Sequence, residues 1–267
     1  MRTERFGQTD VRFRRSGEGD RTVVFVHGFL DDQYVWDRLI AELAIPGIEC
    51  ITVDLAGGGD RTAAGGPFAY DRFAAEVGDV VDAVDKPFVI VGQSMGAAVG
   101  ELVATRRPDR ALGLVLLTPV PLAGTHLPDE AIAPFRALGG DGAGQRAVRN
   151  QLAVALPEAE HDRLVAVGER VRPEVVRDFA DCWNDGHPAG EQPSRYAGPV
   201  LIVRGEADGF VTEELVDTAV APRFGSVESV VVASAGHWVH LEQPFAVAAL
   251  LDGFLAGVFR PDHFHQG

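Results

Sequence analysis

The chain has 267 residues, of which 46% are hydrophobic, and a formal net charge of −15. This length and apolar content allow one substantial core, so we expect a single domain with an insertion. The acidic balance argues against nucleic acid or an anionic membrane as a partner, because clustered Lys and Arg bind phosphates. With no apolar signal segment and no run of about 18 apolar residues, we expect a cytoplasmic protein.

Apolar runs of strand length recur along the chain, and most are continuous, which is typical of strands buried on both faces of a parallel sheet. They lie at 22–26, 48–53, 88–91, 112–117, 200–203 and 227–232. Helical segments with apolar residues three and four apart alternate with them, at 35–43, 70–84, 97–106, 212–219 and 244–254. With two short antiparallel strands at 2–6 and 11–14, these patterns predict an α/β fold: a mostly parallel sheet of about eight strands with helices on both faces.

The alternation of strands and helices breaks once, between about residues 120 and 196, where prolines and glycines separate short helical patterns. We therefore expect a core formed by 1–119 and 197–267, with a helical cap inserted at 120–196. The glycine-rich segment 139–144 lies in this cap. A mobile connection is favoured there over a phosphate-binding loop, because no strand precedes it and no Gly-Lys-Ser/Thr follows.

The pentapeptide Gly92-Gln93-Ser94-Met95-Gly96 follows an apolar strand directly and precedes a helical segment. A Gly-x-Ser-x-Gly turn joins strand to helix so sharply that the serine takes strained backbone angles, and its hydroxyl is presented above the sheet. Ser94 is therefore the candidate nucleophile. The Met95 N–H lies in the first turn of the helix, where unpaired donors favour a developing oxyanion.

A serine hydroxyl needs a base within hydrogen-bond reach and an acid that orients this base. His237 follows the strand at 227–232, and Asp208 follows the strand at 200–203. Both therefore lie at the carboxyl edge of the sheet, as Ser94 does, where ligands of such sheets bind. Glu206 is the alternative acid and His240 the alternative base. Glycine before His237 suits a tight catalytic loop, so His237 is favoured.

The segment His27-Gly28-Phe29-Leu30 follows the strand at 22–26, and we expect Phe29 N–H to be the second oxyanion donor beside Met95 N–H. At this point the chain resembles the α/β-hydrolase family, in which nucleophile, acid and histidine follow in the order Ser, Asp, His. The resemblance favours Asp208 over Glu206, makes His27 structural, and places the cap where the family usually has it. Asp54 is expected to stabilise a turn.

No motif implies a metal, nucleotide or redox cofactor, and we expect none. Each of the three histidines in the predicted cap is favoured as a surface or capping residue, and none has metal-ligand spacing: His126, His161 and His187. Cys50 and Cys182 are expected to be small buried hydrophobes rather than disulfide partners.

Apolar side chains on both sides of the expected triad predict an apolar pocket for a small-molecule substrate. Its predicted wall consists of Leu30, Phe135, Phe179, Trp183, Phe210 and Trp238. An anionic substrate would meet a repulsive field unless arginines such as Arg136, Arg172 or Arg195 countered it.

These patterns favour a serine esterase acting on a small or medium apolar ester or lactone. Three alternatives remain open: a carbon–carbon bond hydrolase, a lyase similar to those of the menaquinone pathway, and a ligand receptor with slow turnover. The oxyanion segment lacks the glycines of the first group, and Ala97-Ala98 stands where the second usually has an arginine. The sequence does not indicate the oligomeric state.

Overall fold

The fold is an eight-stranded sheet with helices on both faces, and the computed structural model describes residues 2–6 and 9–259 of it. The strand order is β1-β2-β4-β3-β5-β6-β7-β8. The strands are β1 (Arg2–Phe6), β2 (Thr9–Gly17), β3 (Arg21–Val26), β4 (Ile48–Val53), β5 (Phe88–Gln93), β6 (Ala111–Leu117), β7 (Val200–Gly205) and β8 (Val227–Val232). Pairing is antiparallel for β1 with β2 and for β2 with β4, and parallel from β4 to β8. The predicted fold class is confirmed.

The continuous apolar runs arise because the central strands have a core on each face. In β3, Val24 and Val26 belong to one cluster of buried side chains, and Val23 and Phe25 belong to the other. A strand directs successive side chains to opposite faces, so burial on both faces requires apolar residues at consecutive positions.

Ten α-helices surround the sheet in the described part of the chain. They are α1 (Asp37–Glu42), α2 (Tyr70–Val84), α3 (Met95–Thr105), α4 (Asp129–Arg136), α5 (Gly142–Leu152), α6 (Glu158–Glu169), α7 (Pro173–Asp185), α8 (Glu213–Leu215), α9 (Val239–Glu242) and α10 (Pro244–Val258). Helices α2 and α3 cover one face of the sheet, and α1 and α10 cover the other. None of the described helices has the length and apolar character needed to span a membrane.

Two predicted helices differ in detail. The segment predicted as a helix at 35–43 begins as a 3-10 turn, Gln33–Trp36, before α1. The helix predicted at 212–219 is α8 followed by a π turn, Val216–Val220. Pro222 lies in the 3-10 turn that follows, Ala221–Arg223, and because proline has no N–H to donate to the preceding turn, the helix cannot continue regularly through it.

Between β6 and β7 the described chain forms α4 to α7 and no strand. The glycine-rich segment within it is not a simple connection. Gly142 begins α5, and the carboxylate of Asp141 caps this helix by accepting a hydrogen bond from Gly144 N–H at 2.9 Å. An aspartate at this position compensates for the low helix propensity of the glycines, because it satisfies a donor that the helix itself leaves unpaired.

Candidate active site

Ser94 stands at the turn between β5 and α3 with backbone angles that non-glycine residues rarely take, φ 52° and ψ −120°. Its N–H donates to Leu117 O of the neighbouring strand β6 at 3.0 Å, which holds the turn against the sheet. Such strain persists only where the surrounding structure fixes it, and it is common at functional sites. The serine is 6% exposed.

The two glycines of the pentapeptide permit this turn. A Cβ at Gly96 would overlap the carbonyl oxygens of Val26 and His27, and a Cβ at Gly92 would overlap the backbone of Gly96. Because the overlapping atoms belong to the backbone, they cannot move aside as a flexible side chain would. The close approach of β3, β5 and α3 therefore requires glycine at both positions.

Gly96→Ala is expected to lower the free energy of unfolding by about 2 kcal/mol or more, since the added methyl group overlaps fixed backbone atoms. Gly253→Ala is the matched control: Gly253 lies in α10 with open space around it. There, alanine is expected to be neutral or to stabilise the helix by roughly 0.5 kcal/mol. Denaturant unfolding of both variants measures the difference, and equal stabilities would contradict the packing argument.

Asp208 and His237 lie side by side beyond the carboxyl ends of β7 and β8. His237 Nδ1 is 2.8 Å from Asp208 Oδ2. The other carboxylate oxygen, Oδ1, accepts from Phe210 N–H at 2.9 Å and from Val211 N–H at 3.0 Å, so the carboxylate has a fixed orientation. Glu206 is exposed and accepts from Ser234 N–H instead. Of the two acids considered from the sequence, only Asp208 contacts the histidine.

The environment of His237 stabilises the charged imidazole. Burial alone lowers the pKa of this side chain, but the negative charges of Asp208, Asp31 and Glu242 outweigh burial and raise the pKa above its ordinary value. The imidazole therefore accepts a proton more readily than a free histidine does. That property suits a general base that becomes charged during the reaction.

Gln93 and Thr118 hold the backbone of His237, and neither was singled out from the sequence. Thr118 Oγ1 donates to His237 O at 2.9 Å, and Gln93 Nε2 donates to the same oxygen at 3.2 Å. Gln93 immediately precedes Ser94, so these hydrogen bonds connect the serine turn to the histidine loop. No sequence motif signals such a contact, because it joins segments 144 positions apart.

The remaining histidines of the core have structural surroundings. His240 is fully buried and stacks on Trp36 with ring centroids 4.6 Å apart, and burial lowers its pKa to about 3. His27 Nε2 accepts from Leu55 N–H at 3.1 Å, so its Nδ1 carries the proton and donates to Gly28 O at 2.9 Å. Asp54 accepts hydrogen bonds from Gln33 and from Asp60 N–H, as expected for an acid that stabilises a turn.

The three histidines of the predicted cap lie in different surroundings. His126 is exposed, and His187 accepts from Ala189 N–H and so caps a 3-10 turn. For His161 the prediction of a surface or capping residue is wrong, because this side chain is buried within α6. Among residues 2–6 and 9–259, no group of three or more His, Cys, Asp or Glu side chains has the arrangement of a metal site.

The two backbone N–H groups predicted to bind the oxyanion lie in the loop after β3 and at the start of α3. Within the described ranges, neither Phe29 N–H nor Met95 N–H donates to a backbone acceptor of the chain. Phe29 and Ser94 both line one cavity, and Met95 follows Ser94 directly. Unpaired N–H groups at a helix N-terminus and in the adjoining loop form the usual arrangement for stabilising an oxyanion.

The cavity that Ser94 and His237 line has one aromatic side and one polar side, and its volume is about 40 Å³. Trp183 is central to the aromatic side, with ring centroids 5.3 Å from Phe135, 5.5 Å from Phe210 and 6.1 Å from Phe29. Five of the side chains predicted from the sequence line this cavity: Leu30, Phe135, Trp183, Phe210 and Trp238.

Phe179, the sixth predicted wall residue, does not line the cavity. It is fully buried against Phe68 and Phe73, with ring centroids 5.9 Å and 5.7 Å away. Phe179 precedes Trp183 by one turn of α7, which displaces it by about 6 Å along the helix axis. It therefore packs into the core beside α2, whereas Trp183 faces the cavity.

The polar side of the cavity was not predicted. It consists of Asp31, Gln145 and Arg149, which we call the polar wall. Arg149, on α5, is 3% exposed, and its Nη2 lies 3.6 Å from Asp31 Oδ1. The arginines considered from the sequence lie elsewhere: Arg136 pairs with Asp129 and Asp181, while Arg172 and Arg195 are exposed.

Comparison with known proteins gives the following matches. A family model described as "Alpha/beta hydrolase family" matches residues 23–250. Lipase LipV of Mycobacterium tuberculosis is 35% identical over 121 residues, which are 44% of this chain and 45% of that lipase. The match thus spans less than half of the lipase. Esterase Rv0045c of the same organism is 26% identical over 267 residues, which cover 90% of this chain and 85% of the esterase.

Solved structures show the same architecture. The thermophilic esterase from Thermogutta terrifontis superimposes with a TM-score of 0.80 over 94% of both chains, at 23% sequence identity. At this level of identity the likeness is evidence for the fold alone.

Proposed function

This chain belongs to the α/β-hydrolase family, and on that premise we propose that it is a serine hydrolase that cleaves a small or medium apolar carboxylic ester or lactone. The observation that carries the proposal is the 2.8 Å contact between His237 Nδ1 and Asp208 Oδ2, together with a strained serine that lines the same cavity as His237. Homologous esterases and lipases support hydrolysis as the reaction class.

In the proposed mechanism, Ser94 Oγ attacks the carbonyl carbon of the ester while His237 accepts the hydroxyl proton. Asp208 keeps the imidazole in the required tautomer and stabilises its positive charge. The oxyanion accepts hydrogen bonds from Phe29 N–H and Met95 N–H, and it re-forms the carbonyl as the leaving alcohol takes the proton from His237. A water molecule, deprotonated by His237, then attacks the acyl-enzyme, and the acid is released as Ser94 Oγ regains its proton from His237.

The cavity restricts the substrate in size and polarity. Its volume of about 40 Å³ is small beside that of a drug-sized ligand site, so a long acyl chain requires displacement of the wall residues on α4, α5 and α7. We propose that residues 120–196 act as a cap in this sense, because Phe135, Arg149 and Trp183 come from these helices and complete the cavity over Ser94.

Initial rates on p-nitrophenyl esters of graded acyl length test this function. We expect kcat/KM to be highest for short acyl chains and to fall by about fivefold or more once the chain exceeds the cavity, because overpacking costs on the order of 1–3 kcal/mol. Negligible turnover of every ester, combined with ligand-induced stabilisation, would instead support a receptor. Cleavage of activated carbon–carbon bonds without ester hydrolysis would contradict the proposed reaction.

A further inference from the structure

The polar wall contains a buried ion pair that the proposed mechanism does not use. Arg149 and Asp31 are 3% and 1% exposed, and both line the cavity of Ser94 and His237. Burying an ion pair costs desolvation energy that its own attraction does not always offset. A pair beside the reacting serine therefore calls for an explanation beyond stability.

Several hydrogen-bonding groups of the pair have partners within the protein. Arg149 Nη2 donates to Leu30 O at 3.2 Å, and Nη1 lies 3.3 Å from Gln145 Oε1. Asp31 Oδ2 accepts from Trp238 Nε1 at 3.0 Å. These contacts fix the positions of both side chains, and they connect three separate segments of the chain: the loop after β3, α5 and the segment at Trp238.

One donor and one acceptor of the polar wall remain without a hydrogen bond. Among the described residues, Arg149 Nε has no acceptor, and Asp31 Oδ1 has its ion-pair contact with Arg149 Nη2 at 3.6 Å but no donor within hydrogen-bond distance. A buried polar atom left unpaired costs about 1–3 kcal/mol, and more when it is charged. Both atoms are shielded from solvent, so a substrate group that reaches them can supply the hydrogen bonds that the protein leaves unmade.

The geometry and charge of the two unpaired atoms select a hydroxyl group. Nη2 and Nε belong to one rigid guanidinium, so Nε lies within about 6 Å of Oδ1, a span that one oxygen bridges with two hydrogen bonds. A hydroxyl accepts from Nε and donates to Oδ1. A ketone or ester carbonyl would satisfy Nε alone.

A carboxylate fits less well than a hydroxyl. Arg149 is already neutralised by Asp31 at 3.6 Å, and Asp208 adds a further negative charge behind His237. A substrate carboxylate would place a second anion beside Asp31 in a buried site, where like charges repel strongly. An ammonium group would be repelled by Arg149 in the same way.

We propose that the polar wall is a subsite for a hydroxyl group of the substrate, so that the preferred substrate is a hydroxyl-bearing ester or lactone. This inference rests on the proposed hydrolase function and narrows its substrate class. The hydroxyl lies on either the acyl part, as in an ester of a hydroxy acid, or the alcohol part, as in a monoester of a diol.

Rates of acid release by the wild-type protein from matched esters test the subsite. One series carries the hydroxyl at successive carbons of the acyl chain, and the second carries it on the alcohol. Each ester is paired with an analogue in which a methyl group replaces the hydroxyl. We expect one position in one series to raise kcat/KM by about tenfold or more, because each unpaired buried group costs on the order of one hydrogen bond.

Variants connect the preference to the polar wall. Arg149→Met removes the proposed donor and Asp31→Leu the proposed acceptor, and each is expected to bring the ratio of the hydroxyl ester to its methyl analogue close to one. Arg146→Met is the matched control, because Arg146 lies on the same helix in an ion pair with Glu158 at the surface. It is expected to leave the ratio unchanged. Should Arg149→Met fail to fold, binding of the matched esters to Ser94→Ala, measured by calorimetry, reports the same preference.

Three results would overturn the subsite: equal rates within every pair, the highest rate for an ester that carries a carboxylate, or a preference that persists in Arg149→Met. Failure of the proposed function is a different result, in which no ester is hydrolysed at all. In that case the hydroxyl preference is still measured by binding, and the absence of preferential binding would overturn the subsite independently.

Discussion

Ser94→Ala is expected to reduce kcat for ester hydrolysis by about 10⁴-fold to about 10⁶-fold. The variant lacks the oxygen that forms the acyl-enzyme, and residual activity can come only from substrate binding and the oxyanion donors. Those donors are backbone N–H groups, so the substitution leaves them in place. The hydrogen bond of residue 94 to Leu117 O is also made by the backbone, and we expect unchanged stability.

Ser234→Ala is the matched control for this substitution. Ser234 also has a positive φ, 56°, but it lies in the exposed loop after β8. Its replacement is expected to leave kcat unchanged. One molecule of a fluorophosphonate probe should react with each molecule of the wild-type protein and of the control variant. The probe should not label Ser94→Ala. Wild-type turnover by Ser94→Ala would contradict the acyl-enzyme mechanism directly.

The parts predicted correctly from the sequence are those determined by local rules. Burial on both faces makes strands such as β3 continuous apolar runs, so the sheet is visible without any contact information. The turn that holds Ser94 is encoded by two glycines within five residues. Parallel strands bring their carboxyl ends to one edge, and for that reason loops 29 positions apart place Asp208 and His237 in contact.

The parts missed depend on how distant segments pack together. Phe179 and Trp183 look equivalent in the sequence, since both are aromatic and they lie one turn apart on α7. Only the tertiary contacts distinguish them: Phe179 packs on Phe73 of α2, and Trp183 lines the cavity. Arg149 is a similar case. Its place in the cavity wall depends on an ion pair with Asp31, 118 positions earlier, and no periodicity or motif connects the two residues.

Asp208→Asn is expected to have the second large effect on activity, because the two carboxylate oxygens of Asp208 have different partners. Oδ1 accepts from Phe210 N–H and Val211 N–H, and Oδ2 contacts His237 Nδ1. In Asp208→Asn, the single remaining carbonyl oxygen is retained by the two backbone donors, so the amide NH₂ faces the histidine. Nδ1 must then act as the acceptor, which places the imidazole proton on Nε2.

An imidazole protonated at Nε2 cannot accept the proton of Ser94, and Asp208→Asn is therefore expected to lower kcat by roughly 10⁴-fold. Loss of the carboxylate also removes a charge that raises the pKa of His237. Because the base acts as the neutral imidazole, wild-type kcat/KM should rise with pH through a midpoint above about 6.5, and the midpoint of the variant should be lower.

Glu206→Gln, which alters an exposed carboxylate on the same loop, is the control and should change neither kcat nor the midpoint. If Glu206→Gln abolished activity while Asp208→Asn retained it, Asp208 would not be the acid of the triad. If Asp208→Asn lowered kcat without moving the midpoint, the carboxylate would act through the imidazole tautomer and not through the pKa of His237.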